Sequence, residues 1–531
     1  MRLDRVLRAS VSYARLYTGM LVQDFLERNS KARCDKTALI CGARRFSYGE
    51  LDAMANRLAN ALREQGVKRG ERVGIFLPNS VEAVVAIFAI LKADAVFVAL
   101  NRTTKPEKVF STYNECEACL VITDVRFMMQ GMGDRLFKEV PAVRSIIVCG
   151  EKAKNFSNGH GRCLDFNHIQ AAASSTPLRS ANIDLDLACL IYTSGTTGES
   201  KGVMSDHANV AFVTQSIVEY LKNAQADIIL SVLPLAFSYG LYQLMATFCS
   251  GGTLVLEESF AFPELILEKM AKERVTGFAG VPTIYSMLLG MDLQSFDLSS
   301  LRYLTNAAAG LPVEHVRRLR QVFPKLDLYL MHGLTEVART MYLPPTEVDQ
   351  RPASSGVAIP GTELWIEDDN GRRLGPGETG ELVVRGRNVM RGYWKAPELT
   401  NQRFRPGPIP GERLCYSGDL FKTDEQGYFY FVSRKDDIIK SRGEKVAPRE
   451  VENVLYTIPG VQDAAVIGVP DPMMGQVIKA FIVAPGSTLT EAAVISHCKA
   501  RLDEFMVPRQ VEFRPELPKT GSGKIRRIDL R

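Results

Sequence analysis

Hydrophobic and polar residues follow two alternating periodicities along much of this 531-residue chain. Short runs rich in β-branched residues predict strands, and segments with apolar residues at helical spacing, such as residues 51–62, predict helices between them. The predicted strands are residues 72–77, 95–100, 120–123, 227–233, 252–256, 275–279, 303–305 and 326–330. Strands that alternate with helices form βα units, so the pattern predicts an α/β protein with two α/β halves on largely parallel sheets.

The rhythm changes near Gly361, where tight turns begin to join the strands. Residues 363–371 and 380–385 predict strands connected in this way, and the turn at residues 424–427 belongs to the same pattern. Together these segments predict a small, distorted antiparallel β-barrel.

The length of the chain requires more than one domain, because single hydrophobic cores stop growing well below 531 residues. A cluster of charged residues at 433–437 separates the barrel from a final segment with its own helices and strands. We therefore predict a large N-terminal domain over residues 1–434, which holds two α/β subdomains and the barrel. A small, mobile α+β domain is predicted over residues 435–531.

Composition excludes several classes of protein. The chain has 65 basic and 60 acidic residues, and no cluster of Lys and Arg interleaves with aromatic residues, so we expect no nucleic-acid partner. The longest apolar run, residues 81–91, contains Glu82 and is too short to span a bilayer, which predicts a buried helix and no integral membrane segment. The ten cysteines lack metal-ligand spacing, and free thiols suit a cytoplasmic location.

Residues 192–202 concentrate hydroxyl groups, glycines and a lysine in one short segment. The glycines let backbone N–H groups approach phosphate oxygens, the hydroxyls add donors, and Lys201 supplies a positive charge. Gly195 and Gly198 are three residues apart, and this spacing differs from that of a Walker loop. The segment therefore predicts a polyphosphate site of another kind, with a plain polar surface loop as the alternative.

Further short motifs follow this loop in a fixed order. They are His332-Gly-Leu-Thr-Glu336, Gly380-Glu-Leu-Val-Val-Arg-Gly386, Arg391-Gly-Tyr-Trp394, Tyr416-Ser-Gly-Asp419, Ser433-Arg-Lys-Asp-Asp437 and Pro518-Lys-Thr-Gly-Ser-Gly-Lys524. Several are weak alone, but in this order they cover nearly the whole chain. The sequence thereby resembles the adenylate-forming superfamily of acyl-CoA synthetases, carrier-protein adenylation enzymes and luciferases.

The resemblance implies a two-step reaction. ATP and a small-molecule carboxylic acid form an acyl-adenylate and pyrophosphate, with Mg²⁺ as the metal ion, and a thiol then displaces AMP to give a thioester. The thiol is CoA or the phosphopantetheine of a separate carrier protein, because the chain ends at Arg531 without a carrier domain.

The resemblance also assigns residues to the nucleotide. The glycine-rich loop holds the β- and γ-phosphates through Thr193, Ser194, Gly195, Thr196, Thr197, Gly198 and Lys201. Glu336 is implied as the magnesium ligand, Thr335 as a donor to the α-phosphate, and Gly333 as part of the same turn. Asp419 accepts hydrogen bonds from the ribose hydroxyls and Arg434 reaches the nucleotide. From the residues alone, Tyr416-Ser-Gly-Asp419 is equally an ordinary turn.

The C-terminal motifs are implied to supply catalysis and motion. Lys524 matches the lysine that bridges the attacking carboxylate and the α-phosphate, where it stabilises the charge of the transition state. Asp436 matches the hinge about which enzymes of this type rotate the small domain between the two steps. Gly443 would line the pantetheine tunnel, since a side chain there would obstruct it.

The resemblance places the acid pocket along two segments, whose residues are Phe237, Ser238, Tyr239, Gly240, Ala307, Ala308, Ala309 and Gly310. Ser238 stands where relatives that use amino acids carry an aspartate, so a non-amino acid is favoured. Small residues leave room for a ring or a medium-length chain, although Phe and Tyr packing could equally close that space as core.

His332 departs from the family pattern, which commonly has tyrosine there; it either stacks on adenine or touches the acid. We expect an AMP-forming acyl- or aryl-CoA synthetase, a monomer or homodimer. A freestanding enzyme that loads a carrier protein is the nearest alternative. A non-ligating adenylate binder and a luciferase-like oxygenase are alternatives of another class, disfavoured by the presence of Lys524 and Asp436.

Overall fold

The computed structural model of the chain describes residues 21–157, 162–194, 200–441, 444–471, 475–520 and 524–530. At residues 157, 193, 194, 200 and 475 it describes the backbone alone. Contacts between Cα atoms divide the chain into two compact units. Unit 1 comprises residues 1–259 and 387–402, and unit 2 comprises residues 260–386 and 403–531.

Unit 1 consists of strands that alternate with helices, as the sequence predicts. Its strands are β1 (Thr37–Cys41), β2 (Arg44–Ser47), β3 (Arg72–Phe76), β4 (Val96–Ala99), β5 (Ala118–Asp124), β6 (Ser145–Cys149), β7 (Cys163–Asp165), β8 (Leu187–Ser194), β9 (Ser200–Asp206), β10 (Ile228–Ser231) and β11 (Thr253–Leu256). Its helices are α1 (Asp24–Ala32), α2 (Tyr48–Glu64), α3 (Val81–Lys92), α4 (Pro106–Glu115), α5 (Val125–Met129), α6 (Met132–Glu139), α7 (Lys154–Ser157), α8 (Phe166–Ala172), α9 (His207–Leu221) and α10 (Ser238–Ser250).

Two groups of strands organise unit 1. The order β7-β6-β5-β3-β4-β8-β9 is parallel except for β9, which runs antiparallel to β8. The order β10-β11-β1-β2 is parallel except for β2. This confirms the parallel pairing of the strands that the sequence predicts in unit 1, at residues 72–77, 95–100, 120–123, 227–233 and 252–256.

The apolar run at residues 81–91 forms the buried helix α3, as predicted. The Ser80 side chain accepts a hydrogen bond from the backbone N–H of Ala83 and caps the helix. Phe88 stacks on Phe248 with ring centroids 5.3 Å apart. Among the helices that the structure describes, none combines the length and apolar composition needed to span a membrane.

Residues 387–402 leave the barrel region of the sequence and join unit 1. They form backbone hydrogen bonds with strand β9. The Met204 N–H donates to the Gly392 carbonyl at 2.9 Å, and the Arg391 N–H donates to the Met204 carbonyl at 3.0 Å. The Trp394 N–H donates to the Gly202 carbonyl at 2.7 Å. The motif Arg391-Gly-Tyr-Trp394 therefore covers the edge of β9, directly after the glycine-rich loop.

Unit 2 contains parallel strands, the antiparallel barrel and a C-terminal sheet. Its strands are β12 (Gly277–Gly280), β13 (Tyr303–Asn306), β14 (Asp327–His332), β15 (Met341–Leu343), β16 (Val357–Ala358), β17 (Thr362–Glu367), β18 (Thr379–Gly386), β19 (Phe404–Pro406), β20 (Arg413–Thr423), β21 (Phe429–Arg434), β22 (Ile439–Ser441), β23 (Glu444–Val446), β24 (Asp463–Asp471), β25 (Gly475–Val483) and β26 (Gln510–Phe513). The later helices of the chain are α11 (Pro263–Lys272), α12 (Pro282–Leu288), α13 (Val313–Val322), α14 (Pro397–Arg403, at the border of the two units), α15 (Pro448–Leu455) and α16 (Glu491–Lys499).

The strand pairing in unit 2 separates three regions. Strands β12, β13 and β14 are parallel, and β15 and β16 continue that order antiparallel. The antiparallel order β17-β18-β20-β19, with β21 also paired to β20, forms the predicted barrel-like sheet. The order β23-β22-β25-β24, with β26 on β25, forms the sheet of the C-terminal segment. The mixed α/β class is confirmed. The boundary at residues 434/435 lies inside unit 2 and stays a prediction.

The C-terminal segment has a hydrophobic core of its own, in which α15 and α16 pack on the sheet. Its most deeply buried members are Val446, Val451, Leu455, Ala464, Val466, Ile478, Ala480, Ile482, Val494 and Cys498. A smaller cluster around Phe481 includes Leu517 and Leu530, which anchors the end of the chain.

A buried ion cluster links three helices of unit 1. The Lys92 ammonium at the end of α3 lies 2.7 Å from the Glu27 carboxylate of α1 and 2.9 Å from the Asp52 carboxylate of α2. Its side chain is only 3% exposed, against 26% for Glu27 and 15% for Asp52. The ammonium therefore depends on these two carboxylates for compensation.

Replacing Lys92 with Met should destabilise unit 1, because two carboxylates lose their cation. We expect a loss of about 2 kcal/mol, below the cost of a fully buried pair since both carboxylates keep contact with water. The measurement is the denaturant midpoint of unfolding, with Lys31→Met on exposed α1 surface as the control. Equal midpoints for the two variants would contradict the assignment.

Candidate active site

The motif His332-Gly-Leu-Thr-Glu336 forms a tight loop after the parallel strand β14. The chain leaves β14 at His332 and returns antiparallel in β15, where His332 pairs with Met341. A Cβ on Gly333 would lie 2.2 Å from the Ala338 carbonyl oxygen, so only glycine permits this close turn. The loop leaves Thr335 half-buried and Glu336 buried.

Asp419 is positioned by a bulge in β20. Val383 of β18 faces Tyr416 and Glu381 faces Leu420, so residues 417–419 are accommodated opposite one residue of β18. Gly418 has a φ of +70°, which favours glycine. On its other side Asp419 pairs across the strands with Arg434 of β21, and the Arg434 Nε lies 3.5 Å from Asp419 Oδ1.

His332 bonds directly to Asp419. His332 Nε2 lies 3.1 Å from Asp419 Oδ2, and its Nδ1 lies 2.8 Å from the Thr340 hydroxyl oxygen. A carboxylate can only accept, so Nε2 carries a proton and donates it to Asp419. The Thr340 hydroxyl either donates to Nδ1 of a neutral ring or accepts from Nδ1 of a charged ring.

Two aromatic rings hold the His332 imidazole in place. Phe431 stacks on it with centroids 6.2 Å apart, and Phe421 meets it edge-on at 5.0 Å. The ring is thereby fixed by packing on its faces and by hydrogen bonds at its nitrogens. In the described arrangement His332 is thus a partner of the Asp419 carboxylate.

The charge of Asp419 is compensated by cations around it. Burial alone would raise the pKa of Asp419, but the hydrogen bond from His332 and the electrostatic influence of His332, Arg434 and Lys524 outweigh it and hold that pKa below its usual value. Asp419 therefore stays a carboxylate through the physiological pH range. A carboxylate has about four lone-pair positions, so capacity for further donors remains.

Lys524, near the end of the chain, is held by two hydrogen bonds to Thr520. The Thr520 N–H donates to the Lys524 carbonyl at 2.7 Å, and the Lys524 N–H donates to the Thr520 hydroxyl at 3.1 Å. Although the residue as a whole is exposed, desolvation of its ammonium lowers the pKa of Lys524 and Arg434 lowers it further, while Asp419 and Glu336 oppose the shift. The ammonium thus lies within electrostatic reach of three residues from three other motifs.

Glu336 is the one carboxylate in its loop. The Arg403 Nε lies 3.9 Å from Glu336 Oε1, and Arg403 also donates to the Tyr416 carbonyl at 2.9 Å. Across the described residues, no three His, Cys, Asp or Glu side chains gather into a ready-made metal site. A single carboxylate nevertheless fits Mg²⁺, which commonly binds through one or two carboxylates, waters and the phosphates of a substrate.

Glu381 joins two of the motifs. Its Oε1 accepts the Gly418 N–H at 2.9 Å, and its Oε2 lies 3.3 Å from the Lys435 ammonium. Sequence reasoning included Glu381 in a strand motif without giving it a role, although a carboxylate in an otherwise apolar strand was a signal. Thr340, Phe431 and Arg403 were missed, because their contacts come from strands distant in the sequence.

Asp436 is an exposed residue between two neighbours that are held by ion pairs. Lys435 lies 2.7 Å from Asp369 in the barrel region, and this hydrogen bond raises the pKa of Lys435. Asp437 lies 3.3 Å from Arg527 of the C-terminal segment, and Arg527 also forms a bidentate pair with Glu452 at 2.7 and 3.0 Å. The chain is therefore held by the barrel region up to residue 435 and by the C-terminal segment from residue 437, and residue 436 lies between the two.

In unit 1, the glycine-rich loop connects the antiparallel strands β8 and β9. A Cβ on Gly202 would lie 2.8 Å from the Tyr192 ring, so glycine is required at this position. The Lys201 ammonium lies 5.6 Å from the centre of the Tyr393 ring. Gly195, Thr196, Thr197 and Gly198 lie outside the described residues, as do the side chains of Thr193 and Ser194 and, in the C-terminal segment, Gly443.

The two predicted pocket segments belong to different units and are described separately. In unit 1, Phe237 and Ser238 are half-buried at the start of α10, and Tyr239 is buried. A Cβ on Gly240 would lie 2.3 Å from the Pro234 carbonyl, so its lack of a side chain serves close packing of the helix on that loop. In unit 2, the turn after β13 holds Ala307 buried, Ala308 and Ala309 half-buried and Gly310 exposed.

Ala308 has a φ of +71°, in the left-handed region that alanine disfavours. The Asn306 side-chain amide donates to the Ala309 carbonyl at 2.9 Å and closes the turn over this residue. Strained backbone that is held in this way is common at ligand-binding turns. The geometry is consistent with the predicted pocket role of residues 307–310, which stays a prediction.

Glu381→Ala should loosen the bulge that carries Asp419, because the Gly418 N–H loses its acceptor and the Lys435 ammonium loses one of its two carboxylate partners. We expect a loss of about 1–3 kcal/mol in the free energy of unfolding and about tenfold weaker binding of ATP. Thermal unfolding and calorimetric titration measure the two effects. Glu425→Ala, on an exposed turn, is the control, and unchanged ATP affinity in Glu381→Ala would contradict the role of Glu381.

Comparison with known proteins identifies the family of the chain. A family model for AMP-binding enzymes matches residues 26–394, and one for the AMP-binding enzyme C-terminal domain matches residues 450–524. Feruloyl-CoA synthase of an Amycolatopsis species is 34% identical, with 95% of this chain and 97% of its own length covered. Long-chain-fatty-acid–CoA ligase of Escherichia coli O157:H7 is 31% identical, with 96% and 93% covered.

Solved structures show the same fold. The crystal structure of the anthranilate CoA ligase AuaEII in complex with anthranoyl-AMP has a TM-score of 0.89 at 30% identity, and the match covers 97% of both chains. The match confirms the predicted combination of a large N-terminal part with a smaller C-terminal part. The chain belongs to the AMP-binding enzyme family, within the adenylate-forming superfamily, and is an AMP-forming ligase of the acyl-CoA synthetase type.

Proposed function

We propose that this ligase activates an aryl or a medium- to long-chain carboxylic acid without an α-amino group and transfers the acyl group to CoA. The observation that carries the proposal is the convergence on the buried Asp419 carboxylate of three groups from three other motifs: His332 and Arg434 contact it, and the charge of Lys524 lowers its pKa. Ser238 at the start of α10 supplies no anion for an ammonium group. Relatives named for feruloyl, long-chain fatty and anthranilate substrates support the same substrate class.

Asp419 is proposed to bind the ribose of ATP. Its bond to His332 fixes the carboxylate, and its lowered pKa keeps it ionised, so both ribose hydroxyls can donate to it. Arg434 lies beside the same carboxylate and is proposed to reach the nucleotide. Of the two roles that the sequence left open for His332, its contacts favour the nucleotide side over the acid.

Lys524 is proposed as the catalytic cation of the adenylation step. The acid is already ionised at neutral pH, so its carboxylate attacks the α-phosphate without a general base. Negative charge then accumulates on the oxygens of the α-phosphate and the leaving pyrophosphate, and a lysine held near them stabilises it. The electrostatic influence of Asp419 and Glu336 on Lys524 supports this placement.

The remaining nucleotide contacts come from two loops. Thr335 is proposed to donate to the α-phosphate and Glu336 to bind Mg²⁺, which would neutralise phosphate charge when bound. The loop at residues 193–198 and Lys201 are proposed to hold the β- and γ-phosphates. The close approach of the Gly333 backbone to the Ala338 carbonyl supports a tight turn ahead of Thr335 and Glu336.

The small domain is proposed to rotate about Asp436 between the two steps. Lys435 is held by the barrel region and Asp437 by the C-terminal segment, which leaves residue 436 to absorb the change in φ and ψ. This supports a change of domain at residue 436, within two residues of the boundary between the proposed domains at residues 1–434 and 435–531. Gly443 is proposed to line the pantetheine tunnel. The ten free thiols favour a reducing cytoplasm as the location.

Pyrophosphate release across a panel of aryl, fatty, dicarboxylic and amino acids tests the substrate class. We expect aryl or fatty acids to release pyrophosphate and amino acids to remain inert, because no anion pairs an α-ammonium group. The same panel with CoA should yield acyl-CoA detectable by mass spectrometry. Adenylation of an acid followed by transfer only to a carrier protein, with CoA inert, would contradict the proposed acceptor.

Lys524→Ala should impair adenylation selectively. We expect a loss of at least about 100-fold in acyl-adenylate formation, measured by trapping with hydroxylamine, because one group that stabilises the transition-state charge is removed. Thioester formation from added acyl-adenylate and CoA should be largely retained. Lys499→Ala, at the exposed end of α16, is the control. Full adenylation in Lys524→Ala with loss of thioester formation would rule out the assigned role.

A further inference from the structure

Arg449 reaches from the first turn of α15 to the turn that follows β13. Its Nη2 lies 3.3 Å from the Leu311 carbonyl oxygen, 138 residues away in the sequence. Its guanidinium carbon also lies 5.8 Å from the centre of the Phe431 ring. A single side chain of the C-terminal segment thus contacts the turn of the predicted acid pocket and the ring that stacks on His332.

Gly310 leaves the space that Arg449 occupies. A Cβ on Gly310 would lie 2.0 Å from Arg449 Nη1 and 2.4 Å from its Cζ. The backbone of Gly310 does not have a positive φ, so the conformation of the turn does not itself demand glycine. Glycine at this position is therefore explained by the close approach of the guanidinium.

The surroundings of Arg449 match a buried contact better than a free anion site. Burial lowers the pKa of Arg449, with Glu452 and Tyr456 opposing the shift. Its donors face a backbone carbonyl and its flat face meets an aromatic ring, the two partners that suit a partly dehydrated guanidinium. An arginine that binds a phosphate at the protein surface would instead keep its guanidinium exposed to solvent.

Two other contacts join the C-terminal segment to the same part of unit 2. Tyr456, after α15, meets the buried His315 ring of α13 edge-on at 5.6 Å, and the Ser286 hydroxyl donates to the Gln462 carbonyl at 3.2 Å. Arg449 differs from both because its contact leads directly to the nucleotide-binding residues. From Arg449 the contacts run through Phe431 to His332 and then to Asp419.

We propose that Arg449 is a positioning residue for adenylation, which holds the C-terminal segment by closing on Gly310 and Leu311 and supports the ring stack behind Asp419. The proposal rests on the proposed two-step function. A small domain that rotates about Asp436 must break the contact, so it belongs to the orientation that places Lys524 near Asp419. The same residue would then be released, with α15, for the thioester step.

The test measures the two half-reactions separately in Arg449→Met, which keeps an unbranched apolar side chain but removes the charge and donors of the guanidinium. Adenylation is followed as pyrophosphate release in single turnovers with ATP and acid, and transfer as acyl-CoA formation from added acyl-adenylate. We expect adenylation to fall about tenfold, with a raised KM for ATP, and transfer to stay within about twofold of the unmodified enzyme. Arg509→Met, on exposed surface of the same segment, should change neither.

Gly310→Ala provides a second route to the same contact without altering Arg449. Its added methyl group should displace the guanidinium and reproduce the selective loss of adenylation, and the double variant should be no worse than either single variant. Additive losses would overturn the proposal. A selective loss of transfer with a raised KM for CoA would also overturn it and would assign Arg449 to CoA binding.

If Arg449→Met slowed both half-reactions by the same factor, Arg449 would have a purely structural role, and this result would also overturn the proposal. The unmodified enzyme separates this outcome from failure of the proposed function. If it forms no acyl-adenylate from any acid of the panel, the proposed function fails. If it does and Arg449→Met matches it in both steps, only the role of Arg449 fails.

Discussion

A carboxylate removed from water has to be compensated by cations and donors, and the arrangement around Asp419 follows from this requirement. His332 and Arg434 contact Asp419 from a loop after β14 and from β21, and the charge of Lys524, near the end of the chain, adds to the compensation. Two of these residues have support of their own: Thr340 and two phenylalanines hold His332, and the Thr520 hydroxyl accepts the Lys524 N–H. One buried negative charge therefore orders residues separated by nearly two hundred positions.

The elements predicted from periodicity appear where the sequence places them, because burial of strands and helices imposes local patterns. Ser80 and the run after it, for example, form a capped and buried helix. The motifs with Asp419 and Lys524 could likewise be recognised from residue type and order. The contacts between motifs could not be predicted, because the pairing of Asp419 with His332 depends on a bulge at Gly418 and on strand register.

Residues outside the motifs escaped prediction for the same physical reason. Thr340 and Phe431 act through contacts made across strands, and nothing in their local sequence distinguishes them from ordinary core residues. The predicted pocket residue Gly240 shows the converse: its size is explained by the Pro234 carbonyl that it approaches. Small residues in a sequence therefore mark close approach, and the structure decides whether backbone, side chain or ligand is approached.

The path of the chain through residues 387–402 has a consequence for synthesis on the ribosome. These residues belong to unit 1, yet they are made after more than one hundred residues of unit 2. Until they emerge, the backbone groups of Gly202 and Met204 on β9 lack their final partners in Gly392, Trp394 and Arg391. Strand β9, which follows the glycine-rich loop, therefore remains an open edge while the chain grows, and unit 1 is completed only when residue 402 has emerged.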